Sequence, residues 1–120
     1  MKDRPQYNDM PDENINCYET AADSLFTRFE TGEQGAFLLP YTGLLAAHLS
    51  PPSGCAEQLT LLYVTHTVVI TGANLSALLD TIQRGRAKKI YIGEDKAKAA
   101  AKNPAIRAIK ITLGQDTPTQ

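Results

Sequence analysis

Gln58-Leu59-Thr60-Leu61-Leu62-Tyr63-Val64-Thr65-His66-Thr67-Val68-Val69-Ile70-Thr71 is the stretch on which the architecture turns. Leu59, Leu61 and Tyr63 fall on odd positions, and His66, Val68 and Ile70 on even ones. Alternation with a period of two marks a strand with one buried face. The phase slips at Val64-Thr65, and a one-residue slip sends every side chain to the opposite face. The slip therefore needs either a tight turn, giving a hairpin, or a bulge that twists one long strand. Both answers give a curled antiparallel sheet with His66 on the same side as Val68 and Ile70. A histidine in such a row reads as a core or edge residue rather than a catalyst.

Downstream, Gly72-Ala73-Asn74 opens onto Leu75, Leu78, Leu79 and Ile82, which share one helical stripe. Asn74 is placed to cap this helix, and Gly85 to end it in the left-handed conformation. Arg84 and Arg86 lie at the negative end of its dipole. The stripe is expected to face Leu61, Val68 and Ile70, so that Leu79→Asp unfolds the domain. Lys89-Ile90-Tyr91-Ile92-Gly93 reads as a short strand. Glu94 to Lys102, rich in alanine and lysine, reads as an exposed helix ending at Asn103-Pro104, and Ala108 to Leu113 as a final strand.

Upstream, Met1 to Asn14 is polar and almost free of apolar residues, which predicts a mobile acidic arm. Ile15, Tyr18, Ala22, Leu25, Phe26 and Phe29 recur at helical spacing, yet Ser24 to Glu30 fits a strand equally well. The reading adopted is a short helix near 16–23 and a strand near 24–30. Ala36 to Tyr41 alternates as a strand, with Pro40 confined to an edge or an end because it lacks a donor. Leu44 to Leu49 is a further apolar run, and Ser50-Pro51-Pro52-Ser53-Gly54 is a loop. The predicted organisation is an arm over 1–14, one α+β domain over 15–113 and a tail over 114–120. Its centre is a curled antiparallel sheet or small barrel closed by one amphipathic helix, with a basic C-terminal extension.

Composition narrows the function classes. The chain has 120 residues, 42% of them hydrophobic and 21% charged, as expected of a globular domain rather than a disordered one. No apolar run approaches the ~18 residues of a membrane span, and the first residues carry no secretory pattern. Two cysteines, Cys17 and Cys55, then point to free thiols in a reducing cytoplasm. Together with His48 and His66 they form no close ligand pair of the kind zinc sites use, so no metal is expected.

The net charge of −1 conceals an asymmetry. Residues 1–60 hold nine acids and three bases; residues 61–120 hold four acids and nine bases, all between Arg84 and Lys110. Such segregation suits a surface that meets phosphates or an acidic partner, although charge runs also simply solvate a surface. The residues that would carry nucleic-acid or acidic-protein binding are Arg84, Arg86, Lys88, Lys89, Lys96, Lys98 and Lys102, with Tyr91 as the one stacking ring among them.

Val68-Val69-Ile70-Thr71-Gly72-Ala73-Asn74 before a helix imitates a dinucleotide-binding turn. Ser76 and Leu78 stand where that turn needs glycines, and no dinucleotide or other cofactor is expected. The segment from Phe37 to Ile82 resembles small bacterial pleckstrin-homology-like domains. The resemblance rests on Leu38-Leu39-Pro40-Tyr41-Thr42-Gly43-Leu44, the paired strands, and Val68-Val69-Ile70-Thr71-Gly72 leading into a helix. It covers less than half the chain and implies a strongly bent sheet plugged by a helix, used to bind lipids, peptides or partner subunits. Residues 86–113 extend beyond that pattern. An Sm-like, ring-forming RNA-binding barrel would put its helix before its strands, which the helix at Leu75 opposes.

No nucleophile with a base emerges. Ser53 and Ser76 lack a nucleophile turn, Cys17 and Cys55 lack a basic neighbour, and Glu57 and Asp80 read as surface acids. The expectation is a non-catalytic binding or assembly module that forms homo-oligomers. Nucleic-acid binding through the basic 84–110 segment is the alternative.

Overall fold

The computed structural model describes residues 17–50, 56–93 and 104–114. Its elements are β1 (Tyr18–Thr20), β2 (Phe26–Glu30), β3 (Ala36–Pro40), a 3-10 turn (Tyr41–Gly43), β4 (Leu44–Leu49), β5 (Glu57–Tyr63), β6 (His66–Ala73), α1 (Ser76–Gln83), β7 (Ala87–Tyr91) and β8 (Ala105–Leu113). The slip at Val64-Thr65 is a turn, and β5 and β6 form the antiparallel hairpin with Leu59 opposite Ile70 and Leu61 opposite Val68. The Val64 N–H donates to the Gly43 carbonyl and the Gly114 N–H to that of Thr65, which pins the turn from both flanks.

The strands make two four-stranded sheets, ordered β1-β7-β2-β3 and β4-β5-β6-β8. This corrects the single curled sheet or closed barrel: the fold is α+β and largely antiparallel, but the sheets do not close. The division comes at Pro40. There β3 ends, a 3-10 turn follows, and the chain leaves the first sheet to begin the second. After α1 the chain returns to the first sheet, inserting β7 between β1 and β2 and parallel to β2. The stretch read as a basic extension thus supplies one interior strand and one edge strand. The helix follows β6 in the chain and packs beside β4 and β7.

The buried faces meet in one core. Leu59, Leu61, Tyr63, Val68, Ile70, Ile109 and Ile111 come from the second sheet, and Phe29, Leu39 and Ile90 from the first. Phe29 and Tyr63 meet edge to face across it, with ring centroids 6.1 Å apart and planes at 83°. Two polar ties also join the sheets. Gly93 and Ile106 exchange backbone hydrogen bonds of 3.0 and 2.9 Å. The Gln34 side-chain amide donates to the Ile111 carbonyl and accepts from the Ile111 N–H, both at 2.8 Å, as a neighbouring strand would.

Three local expectations are corrected. Residues 18–20 form β1 rather than part of a helix, because Tyr18 and Glu19 pair with Ile90 and Lys89, a partner far along the chain. Asn74 does not cap α1; it takes a left-handed conformation (φ 56°), and the Glu57 carboxylate accepts the free Leu75 N–H at 2.8 Å. Within the helical stripe, Leu75, Leu78 and Ile82 are buried while Leu79 is only half-buried. Leu79 lies toward β4, on the wall of a groove. Gly85 does end the helix in the left-handed conformation (φ 70°). The strands expected near 24–30, 36–41, 89–93 and 108–113 are present. The arm at 1–14, the helix at 94–102, Cys55 and most of the tail lie outside the described residues.

Candidate functional site

Two surfaces stand out. The first lies along β4. This strand is the edge of its sheet, with β5 as its one hydrogen-bonded neighbour among the described residues. Its sequence, Leu44-Leu45-Ala46-Ala47-His48-Leu49, holds no Asp, Glu, Lys or Arg, and the four central residues are exposed. Ala47 pairs with Leu61 and so points to the core side of the sheet, yet solvent reaches it. Beside it runs a groove of about 690 Å³ between β4, α1 and the 23–25 turn, walled mainly by Leu25, Tyr41, Leu44, Leu45, Leu79 and Ile82. Leu25 is 74% exposed and Leu45 59%. Large aliphatic side chains left in water forgo a substantial burial free energy, and adjacent ones mark an interaction surface more often than scattered ones do.

The second surface is the outer face of the first sheet. Glu19 pairs with Lys89 and Thr20 with Ala87, so Lys88 is the extra residue of a bulge. Ala87 and Ile90 are buried on either side of it, while Lys88 is exposed and Lys89 half-buried. The bulge thereby turns both lysines away from the core. The parallel register sets Arg28 beside Lys89. These three cations, with Phe26 (44% exposed) and Leu38 (60% exposed), surround a shallow hollow of about 530 Å³. Two of them meet acids: Arg28 Nε lies 2.7 Å from Glu30, and Lys88 Nζ 3.9 Å from Glu19. Lys89 Nζ sits 5.5 Å over the Tyr91 ring, a cation–π contact.

Of the sequence-predicted binding residues, Lys88 and Lys89 are brought together. Arg84 is exposed at the end of α1, on the rim of the first groove, and Arg86 is exposed just before β7. Lys96, Lys98 and Lys102 lie outside the described residues. Arg28 and Phe26 were missed, because only the long-range β2–β7 pairing sets them beside the lysines. Groove and edge were missed too: Leu44 to Leu49 is legible as apolar, but its place at a sheet edge is not.

The reactive side chains are quiet. Cys17 is buried, its thiol 3.5 Å from the Pro104 carbonyl, and burial pushes its pKa up to about 12, far from a nucleophilic thiolate. Burial, then the Tyr41 charge, raise the Tyr63 hydroxyl against an opposing hydrogen bond with Thr27. Burial raises Tyr91 as well, with smaller contributions from Glu19 and Cys17. His66 faces the core side as expected, stacked edge-on against Phe37 at 5.8 Å, with Nδ1 2.8 Å from the Thr65 hydroxyl. Among the described residues no group of three or more His, Cys, Asp or Glu could hold a metal ion, and no helix is long and apolar enough to cross a membrane. Comparison with protein-family models, curated proteins and solved structures found no match.

Proposed function

We propose that this chain is a non-catalytic binding or assembly module that engages protein partners along β4 and the groove beside it. One observation carries the reading: an uncharged six-residue edge strand lies next to an apolar groove with exposed leucines. Backbone donors and acceptors at an unpaired edge favour another strand, and the groove offers apolar area to go with it. The resemblance of residues 37–82 to small pleckstrin-homology-like domains supports the same use, since binding is what that resemblance implies. Light scattering tests the proposal: the purified chain should have a mass above 13.1 kDa, or acquire one with a defined partner. A monodisperse monomer that recruits nothing through this surface overturns it.

A second reading has its own observation, the bulge that turns Lys88 and Lys89 outward beside Arg28 and Phe26. A basic sheet face with an exposed ring suits single-stranded nucleic acid, where phosphates meet cations and bases stack. Glu19 and Glu30 offset much of that charge, which is why this reading ranks second. It requires affinity for an RNA or DNA oligonucleotide that weakens steeply with salt. No shift in fluorescence anisotropy at low ionic strength removes it.

A further inference from the structure

The four edges of the two described sheets are treated unequally. β1 is only three residues long and carries Glu19. β3 ends in Pro40, which has no N–H to offer. β8 carries Arg107 and Lys110, and Gln34 occupies the backbone groups of Ile111. Short length, charge, proline and a covering group are the devices by which monomeric sheets avoid pairing with one another. Among the described residues β4 has none of them apart from the register shift near Leu45, which leaves Ala46 to Leu49 in regular register with β5. It is thus the edge least protected against pairing with another strand.

The composition of β4 indicates the occupant. Two copies of one strand laid antiparallel across a twofold axis set each residue opposite its mirror position, so any charge near the axis would meet a like charge. Here the central residues are Ala46 and Ala47, small and neutral, with Leu45 and Leu49 flanking them on opposite sides. Self-pairing therefore brings neither repulsion nor a clash, and sets leucine toward leucine. The exposed Leu25, in the groove beside β4, continues the apolar surface beyond the strand.

Resting on the assembly reading above, we propose that the partner is a second copy of this chain: β4 pairs antiparallel with its symmetry mate near Ala47, joining two four-stranded sheets into one of eight strands. The experiment compares the wild-type chain with Ala46→Lys and Ala47→Lys, two positions that solvent reaches. Light scattering should give twice 13.1 kDa for the wild type and a single-chain mass for both variants, with their circular-dichroism spectra unchanged. A wild-type dimer that survives both lysines overturns strand pairing and leaves assembly through another surface. A monomeric wild type overturns the self-pairing and the homo-oligomer with it. Should either lysine variant fail to fold, Ala47→Cys in a Cys55→Ser background answers independently. Residues opposed near the axis of an antiparallel pair come within disulfide reach, so mild oxidation should trap a reducible dimer, and a failure to trap one counts against the pairing.

Discussion

Gly72→Ala is the substitution whose cost the structure defines most sharply. Thr71 pairs with Ala108 and Gly72 with Ile106, so β8 spends an extra residue there and its backbone swings in over Gly72. A Cβ at Gly72 would overlap the Ala105 carbonyl oxygen and lie 3.0 Å from both the Ala105 carbonyl carbon and the Ile106 Cα. All three are backbone atoms, so no change of rotamer relieves the contact. The start of β8 must move away, and what holds it is identifiable. The cross-strand bonds beside Gly72 and the Gly93–Ile106 pair are worth about 0.5–1.5 kcal/mol each, and the buried Ile106 side chain roughly 1.5–3 kcal/mol. Partial loss of both gives an expected destabilisation of about 2–4 kcal/mol, a large share of the ~5–15 kcal/mol typical of a domain. Gly43→Ala is the control. Its new methyl would meet Pro40 Cγ at 3.8 Å and Val64 Cγ2 at 4.0 Å, ordinary contacts, so less than about 1 kcal/mol should change. Urea titration followed by circular dichroism measures both. Equal midpoints for Gly72→Ala and wild type would refute the close approach and the bulge that causes it.

Three further outcomes follow from the packing. Leu78→Ala should cost about 2–5 kcal/mol as a buried large-to-small change, and Leu79→Ala clearly less, because Leu79 faces the groove; calorimetric melting ranks the two. Gln34→Ala removes both bonds to Ile111 and should cost about 1–2 kcal/mol, with faster amide exchange at Ile111 read by NMR. In a Cys55→Ser background the Cys17 thiol should resist Ellman's reagent until the chain unfolds. Its ionisation is held up from 9.0 to about 12, so its stabilisation is complete below pH 9 and drains away as the pH climbs from there toward 12. Cys17→Ala should flatten that alkaline loss.

What the sequence made legible was local. Alternation from Leu59 to Ile70 located the hairpin, and the leucine spacing located α1, because both patterns are written in neighbouring residues. The division into two sheets was not legible. It depends on β7 joining β1 and β2, pairings between segments roughly sixty to seventy residues apart that leave no periodic trace. The same long-range pairing overrode the helical spacing around Tyr18, and it hid Arg28 from the basic surface. Leu79 misled for a related reason: it fits the stripe as well as Leu78 does, and only the gap beside β4 tells them apart.

The position of β7 also bears on how the protein is made. β1 and β2 emerge from the ribosome early, yet they are not hydrogen-bonded neighbours; the strand that lies between them is synthesised only after β3 to β6 and α1. Until it is made, β1 and β2 lack the strand that joins them. Their joining is a late, non-local step, and pairings of large sequence separation are the kind that slow folding.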